Sequence, residues 1–351
     1  MTQAAAKTPA EIRQLRARHP EMRERDFARI HSISEGELVA AEVGRSAVRL
    51  EPSVPTLLNG LPACGEVMAL TRNESAVHEK IGPYERVSVG QRAATVLGEQ
   101  IDLRIFPSRW AFGFAVEKKN DDGSVRRSMQ FFDQQGMAVH KVHARPATNM
   151  EAWNALVDNL RHAEQVDTIT TTPLEPVAAK GEPAGVSQLR ERWSLMTDTH
   201  QFFGMLNELN LKRLDALEMV GEDYAFQLDH GAIAKLFNDA ATEQLPIMAF
   251  VGNHGCIQIH GGPITNVKTM GPWLNVMDET FHLHFRLDQA AHVWAVRKPT
   301  SDGHVTSVEV YDAQRELIIQ FFGKRQEGQD ERTGWRTLVE QLPLFSQTNA
   351  A

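Results

Sequence analysis

The chain has 351 residues and a formal net charge of −8, with 42% hydrophobic and 23% charged residues. This balance is typical of a soluble globular protein, and the length is sufficient for two domains. The acidic net charge disfavours binding to a phosphate backbone, so we expect no nucleic-acid partner. No run of residues reaches the roughly 18 consecutive apolar positions that a membrane span requires.

The N-terminus and the cysteines indicate where the protein is located. The first thirty residues are polar and charged, and they lack the apolar core of a secretion signal. The two cysteines, Cys64 and Cys256, are too few for a disulfide framework. We therefore expect a cytoplasmic protein with no membrane insertion.

The first predicted elements are short helices. Residues 9–18 and 23–30 have helical patterns, and residues 34–43 form a third predicted helix. Ser34, followed three residues later by Glu37, is typical of a capping box at the start of that third helix. The beginning of the chain is therefore predicted to be helical.

The pattern changes to strands between residues 67 and 145, where short apolar alternations are separated by turn residues. Residues 101–105 and 112–116 are two such alternations, and Asn-Asp-Asp-Gly at 120–123 is a strong turn signal. Residues 149–161 then place large apolar side chains at helical spacing. The first half is predicted to be an antiparallel sheet flanked by helices.

Residues 166–185 are predicted to be a linker between two domains, 1–165 and 186–351. They contain three prolines, two glycines and few large apolar residues. After the linker the same order of elements repeats. Helices are predicted at 186–193, 198–209 and 212–219, strands between 246 and 320, and a closing helix at 335–342.

The sequence contains an internal duplication. Residues 67–118 align with residues 247–298 at a constant offset of 180 without a gap, which pairs Gly82-Pro83 with Gly262-Pro263 and Lys118 with Lys298. We predict an α+β fold of two homologous halves, each with a large antiparallel sheet flanked by helices. Ligands often bind where related halves meet, so a cleft between the halves is expected. A duplication that is merely structural is the alternative.

The most pointed difference between the halves is His200. Asp198, followed three residues later by Gln201, resembles a capping box, which would place His200 in the first helical turn, where the helix dipole favours a neutral imidazole. Neutral imidazole is the form that binds metals. Phe203 and Gly204 would share its face, and the glycine would leave room for a flat ligand. Further apolar surface around His200 is expected from Phe202, Met205, Leu206 and Leu209. A single helical histidine is more often a packing or surface residue, so His200 alone does not establish a site.

The sequence lacks the common motifs of metal, phosphate and acyl chemistry. The chain has fourteen histidines but no HExxH or CxxC pattern, so they do not predict a zinc site. Neither a glycine-rich phosphate loop nor a GxSxG elbow occurs. Covalent attachment of haem needs CxxCH, which is also absent from the sequence.

Three segments carry a family resemblance: TDTHQFFGMLNELNLKRLDALEMVGEDYA, IDLRIFPSRWAFGFAV and ELIIQFFGKRQEGQ. Together with the duplicated layout, they resemble the HemS/ChuS/PhuS family of cytoplasmic haem-binding and haem-degrading proteins. The resemblance covers nearly the whole chain. It implies haem b, bound non-covalently in a cleft between the halves.

The resemblance also implies roles for particular residues. His200 matches the proximal ligand of the haem iron, Arg104 matches an arginine on the opposite face of the haem, and both would be the catalytic pair. Polar residues around the haem edge and propionates are matched by Arg213, Lys298, Gln320 and Arg325. Aromatic walls are matched by Phe106, Phe250 and Phe322, the last at a position where the family often has tyrosine.

The resemblance leaves two functions open. One is a haem-degrading enzyme that opens the porphyrin to release iron after haem import, using an external reductant. The other is a non-enzymatic haem chaperone that delivers haem to a separate haem oxygenase. Haem importer components, an oxygenase and a reductase are the implied partners. The copies differ at this site, since the offset of 180 pairs Arg104 with His284 and Phe106 with Arg286.

Overall fold

The structure is a computed structural model that describes residues 7–173, 181–325 and 333–346. Within these ranges the chain forms ten α-helices and eighteen β-strands. The helices are α1 Pro9–Arg18, α2 Glu24–Ile30, α3 Glu35–Ala40, α4 Val54–Gly60, α5 Met150–Leu160, α6 Val186–Ser194, α7 Gln201–Glu208, α8 Arg213–Val220, α9 Ala232–Thr242 and α10 Thr333–Glu340. None of the helices in this part of the chain is long and apolar enough to cross a membrane.

The strands fall into two series that repeat the same order. The first nine are β1 Ala47–Leu50, β2 Val67–Arg72, β3 Ala76–Gly82, β4 Val87–Val89, β5 Ala94–Leu97, β6 Asp102–Ile105, β7 Phe112–Lys119, β8 Val125–Phe132 and β9 Ala138–Ala144. The other nine are β10 Ala225–Leu228, β11 Ile247–Gly252, β12 Cys256–Gly262, β13 Val267–Met270, β14 Trp273–Met277, β15 Phe281–Arg286, β16 His292–Thr300, β17 Gly303–Tyr311 and β18 Leu317–Gly323. Strands β2 and β11 begin 180 residues apart, as do β3 and β12, and β7 and β16.

The described residues belong to two compact units. Unit 1 is drawn from Met1–Arg72, Glu79–Glu175 and Gly252–Gln258, and unit 2 from Asn73–His78, Pro176–Val251 and Ile259–Ala351. Unit 1 thus includes Gly252–Gln258 from the second half of the sequence, and unit 2 includes Asn73–His78 from the first half. The predicted boundaries at 1–165, 166–185 and 186–351 stay a prediction.

In unit 1, five strands lie side by side in the order β1-β7-β8-β9-β2, and β4-β5-β6 form a second run. All of these neighbours are antiparallel. In unit 2, the corresponding runs are β10-β16-β17-β18-β11 and β13-β14-β15, also antiparallel. The prediction of two homologous α+β halves with large antiparallel sheets is confirmed.

The helices pack their apolar faces against these sheets. In unit 1 the predicted face of α5 is buried through Trp153, Leu156 and Leu160. In unit 2 α10 buries Trp335, Leu338 and Val339. Burial of such large side chains is the main term that stabilises each helix on its sheet.

The predicted capping box of α3 is confirmed. Ser34 Oγ accepts a hydrogen bond from the Glu37 backbone N–H at 3.1 Å, and Glu37 Oε2 accepts one from the Ser34 N–H at 2.7 Å. The helix itself ends at Ala40, earlier than predicted. Part of the predicted linker, residues 174–180, lies outside the described residues. Its described parts, 166–173 and 181–185, contain neither helix nor strand.

Candidate functional site

His200 lies immediately before α7, not within its first turn as predicted. The Asp198 carboxylate accepts from both the backbone N–H and Nδ1 of His200, each at 2.7 Å. The Gln201 side chain reaches back and accepts from the backbone N–H groups of Thr197 and Asp198 at 2.9 and 3.3 Å. Asp198 thus folds onto His200 and not onto Gln201, so the capping box is only half formed and the helix begins at Gln201.

The bond to Asp198 determines the chemistry of the His200 ring. A carboxylate can only accept, so Nδ1 carries a proton, and in the neutral ring the lone pair is on Nε2. The pKa of Asp198 is lowered first by the backbone hydrogen bond from His200 and then by the side-chain one, with a further contribution from the charge of Arg325. Asp198 is therefore ionised at neutral pH. Carboxylate–histidine pairs of this kind fix the tautomer and ring orientation of histidines that bind metals.

The surroundings of His200 form an open apolar surface. The His200 side chain is 93% exposed, and Phe203 is 72% exposed. Among the described residues, a Cβ placed at Gly204 would meet no atom within 4 Å. This agrees with the predicted room for a flat ligand. The prediction that Phe202, Met205, Leu206 and Leu209 add to this surface is wrong, because all four are buried in the core of unit 2.

Three of the predicted polar residues converge on one carboxylate, that of Glu309. Arg213 Nε and Nη2 donate to Glu309 Oε2 and Oε1, both at 2.7 Å, which is a bidentate pair. Lys298 Nζ donates to Oε1 at 2.6 Å, and Gln320 Nε2 donates to Oε1 at 3.1 Å. Glu309 is fully buried and Lys298 is 3% exposed. The structure therefore brings Arg213, Lys298 and Gln320 together.

The hydroxyl groups of Ser307 and Tyr311 complete the shell of Glu309, at 2.9 and 2.6 Å. Burial disfavours the charged carboxylate and is the largest influence on its pKa. The charges of Arg213 and Lys298, with their hydrogen bonds, outweigh it and hold the pKa of Glu309 well below the ordinary value. Burial lowers the pKa of Lys298 to about 8, although Glu309 opposes this shift. The cluster is thus a buried, ionised network at neutral pH.

Aromatic rings line this network. The Phe202 ring centroid lies 4.7 Å from Lys298 Nζ and 5.0 Å from Arg213 Cζ, which is cation–π geometry. Phe250 and Phe322 pack edge to face with ring centroids 5.0 Å apart. Phe322 lies 5.8 Å from Lys298 Nζ and brings no hydroxyl to it. Phe322 therefore lies beside Lys298, and Phe250 lies beside Phe322.

Arg104 and Phe106 belong to unit 1. Arg104 lies on β6, is about one-third exposed and pairs with Asp102. Burial raises the pKa of Asp102, although the charge of Arg104 opposes this. Phe106 follows the strand, is half-buried, and donates its backbone N–H to the Gly255 carbonyl at 3.0 Å. The other seven predicted residues are in unit 2, where Arg325 is partly exposed and acts on Asp198 through its charge.

Three residues of the site were not predicted from the sequence. The sequence predicts Asp198 only as a helix cap, although its position two residues before His200 is a signal for the pairing of the two side chains. Glu309 interrupts an apolar strand, and a charged residue in such a strand indicates a buried ion pair. Phe202 was assigned to the surface around His200, whereas it packs beneath the two cations. Neither Glu309 nor Phe202 could be paired with its partners from spacing alone.

Comparisons with known proteins agree with the resemblance. A family model described as the haemin-degrading HemS.ChuX domain matches residues 32–160 and again residues 210–342. The hemin transport protein HemS of Yersinia enterocolitica is 41% identical over 333 residues, which cover 94% of this chain and 95% of that protein.

Solved structures also match over nearly the full length. Holo-PhuS, a haem-binding protein from Pseudomonas aeruginosa, has 45% identity and a TM-score of 0.93, covering 97% of this chain and 100% of that one. ChuS, described as a haem oxygenase of E. coli, has 35% identity and a TM-score of 0.87, covering 94% of this chain and 99% of that one. With the domain matched twice and the same two-half fold, this chain belongs to the HemS/ChuS/PhuS family.

Proposed function

We propose that this chain binds haem non-covalently and that Nε2 of His200 coordinates the iron. The observation that carries the proposal is the exposed imidazole whose Nδ1 is held by Asp198 at 2.7 Å, beside the exposed ring of Phe203. HemS is named as a hemin transport protein, PhuS as haem-binding and ChuS as haem-degrading, which supports the same ligand here.

The residues present fit haem better than a bare metal ion. Within the described ranges, no group of three histidines, cysteines or carboxylates is placed to hold a metal. Haem brings four nitrogen ligands of its own, so a single imidazole such as His200 is sufficient. The apolar face at Phe203 and Gly204 suits a flat macrocycle, and cationic side chains suit its propionates.

We further propose the following roles. Arg213, Lys298, Gln320 and Arg325 hold the propionates and the haem edge, and Phe250 and Phe322 form an aromatic wall. Arg104 and Phe106 would also contact the haem, with the guanidinium supplying hydrogen-bond donors. Bound haem supplies the redox-active iron and the porphyrin ring that reacts. Asp198 keeps the proton on Nδ1 of His200 throughout.

We propose that the protein acts in the cytoplasm after haem import and opens the porphyrin to release iron, with molecular oxygen as the oxidant and electrons from a separate reductase. The description of ChuS as a haem oxygenase supports this activity. A second candidate is a haem chaperone that passes haem to a separate oxygenase. Two observations favour it: the 93% exposure of the His200 side chain, and the higher identity to PhuS, which is described as haem-binding.

Titration of the purified protein with haemin tests the ligand. We expect a shifted Soret band for the unaltered chain and a different spectrum with weaker binding for His200→Ala. His230→Ala, which removes another exposed histidine, is the matched control and should bind normally. If His200→Ala gives the spectrum and affinity of the unaltered chain, the assignment of the iron ligand is wrong.

A turnover assay separates the enzyme from the chaperone. The haem-loaded protein is supplied with an electron donor and oxygen, with catalase present to remove peroxide. Loss of the Soret band with a defined tetrapyrrole product and released iron supports degradation. An unchanged spectrum, followed by transfer of haem to an added haem oxygenase, supports carriage.

A further inference from the structure

The Glu309 cluster carries one positive charge more than its carboxylate balances. Arg213 and Lys298 are the cations, and Glu309 is the single anion among them. Tyr311 stays neutral, because burial and then the charge of Glu309 raise its pKa well above the ordinary value. One excess charge in a buried cluster favours a ligand that brings a carboxylate. Without Glu309, no anion of this cluster would offset the positive charges of Arg213 and Lys298.

The cluster is also connected to the helix that follows His200. Lys298 and Arg213 both make cation–π contacts with the ring of Phe202, which is the second residue of α7. Phe202 in turn packs edge to face on Trp193 at 4.8 Å. The two cations that Glu309 holds therefore support the first turn of the helix that positions His200.

The first repeat lacks this carboxylate. Gln130 lies opposite Phe114 on the neighbouring strand, as Glu309 lies opposite Trp294, and Phe114 and Trp294 are related by the offset of 180. The Oε1 atom of Gln130 is buried without a hydrogen bond to any described residue. Lys118, the equivalent of Lys298, pairs with Glu24 instead. At this position the carboxylate is thus a feature of the repeat that contains His200.

We infer that Glu309 is the positioning residue of the haem site. It contacts no ligand itself, since it is fully buried. It holds Arg213, Lys298 and Gln320 in the geometry that receives a ligand carboxylate, and it supports α7 beneath His200 through Phe202. This inference rests on the proposed haem-binding function.

The test is haemin titration of the full-length chain and of Glu309→Gln, which keeps the shape of the side chain and removes its charge. We expect haem affinity to fall by about 10- to 100-fold, the range found when residues that orient metal ligands are lost. Glu309→Asp keeps the charge at a shorter reach and should lose less. An affinity equal to that of the unaltered chain in both variants overturns the inference.

The pH dependence of haem affinity gives a second readout. The charged or titratable groups of this cluster around Lys298 are Glu309 and Tyr311 on β17 and Arg213 on α8. With the pKa of Lys298 near 8, affinity should decline as the pH rises through that value. Glu309→Gln removes the attraction that keeps Lys298 charged, so the decline should move to lower pH. A merely structural role for Glu309 would leave the midpoint in place.

Glu35→Gln is the matched control. Glu35 is a buried carboxylate of unit 1 that pairs with Arg25 at 3.2 Å and Lys141 at 3.7 Å. Its replacement should lower stability but leave haem affinity and the pH midpoint unchanged; equal losses in both variants would show a general effect on folding. If the unaltered chain does not bind haemin, the proposed function fails. If it binds, and Glu309→Gln and Glu309→Asp bind as tightly as the unaltered chain, only the role of Glu309 fails.

Discussion

The two hydrogen bonds from His200 to Asp198 decide which ring nitrogen is available to a metal. Because Asp198 accepts from Nδ1 and from the backbone N–H at once, the ring is held in one orientation with Nε2 as the donor atom. An aspartate two residues before a histidine is common in loops. The role of Asp198 is therefore evident only from its two hydrogen bonds with His200. Asp198 therefore matters for the ligand more than for the fold.

Asp198→Ala tests this role. Removing the carboxylate lets the His200 ring rotate and lowers its basicity as a ligand, so haem affinity should fall by about 10- to 100-fold. Stability should change little, because the Asp198 side chain is more than half exposed. Soret titration and thermal unfolding measure the two effects. Asp223→Ala, which removes another exposed and ion-paired carboxylate, is the control; equal losses in both variants would contradict the role.

At the scale of the elements, local patterns predicted the helices well where an apolar face recurs every three or four residues. Both closing helices, α5 and α10, are examples. Helix α9 was missed, although Ile233, Leu236, Phe237 and Ala240 have that spacing. Helix α7 begins later than predicted because the side chains of Asp198 and Gln201 reorganise its first turn.

The candidate site could be predicted only in part. The resemblance named residues, and the structure shows that Arg213, Lys298 and Gln320 meet. The resemblance did not identify Glu309, the partner that these residues share. Glu309 is 96 residues from Arg213, and a pairing over that distance leaves no local pattern in the sequence. Backbone pairing of β16, β17 and β18 brings Lys298, Glu309 and Gln320 together, and Arg213 reaches Glu309 from α8.

Substitution of Gly204 tests the exposed face of helix α7. Gly204 lies in the helix interior with open space around its missing side chain. Gly204→Ala should raise the free energy of unfolding by up to about 1 kcal/mol, because glycine is a poor helix former. Gly204→Leu should also fold, yet its side chain would occupy the space beside His200 and abolish haem binding.

Thermal unfolding and Soret titration of these variants separate the two effects. Arg29→Leu places the same side chain on an exposed position of α2 and should leave haem binding unchanged. If Gly204→Leu binds haem as tightly as the unaltered chain, the ligand does not lie against this face of α7.

At the scale of the whole molecule, the two units share a scaffold but differ in the polarity of their cores. In unit 1, His140 is buried between Thr71, at 2.9 Å from Nδ1, and Tyr84, at 2.7 Å from Nε2. The equivalent positions of unit 2 are apolar. Val251 and Ile264 are related to Thr71 and Tyr84 by the offset of 180, and Ile319 pairs with Val310 on the neighbouring strand as His140 pairs with Phe131. Such a network is stable only while the imidazole is uncharged.

This difference predicts that acid destabilises unit 1 first. Burial lowers the pKa of His140 to about 3 and that of His143 to about 4. The charge of Lys141 also contributes to the lowering at His143. Unfolded histidine takes up a proton near pH 6.5, and the folded groups do not, so unfolding binds protons and stability falls as the pH drops below that value. Between pH 7 and 5 the loss from His140 should be about 2 kcal/mol, at about 1.4 kcal/mol per pH unit.

Hydrogen exchange at pH 7 and pH 5 measures where this loss occurs, and backbone amides of β8 and β9 should lose more protection than those of β17 and β18. The triple change Thr71→Val, Tyr84→Ile and His140→Ile installs the residues of unit 2 and should flatten the pH dependence of urea unfolding in this range. The carboxylate Glu309 and the cation Lys298 titrate outside the window, since their pKa values lie well below 4.5 and near 8. Equal loss of protection in both units would show that the buried histidines do not set the acid stability.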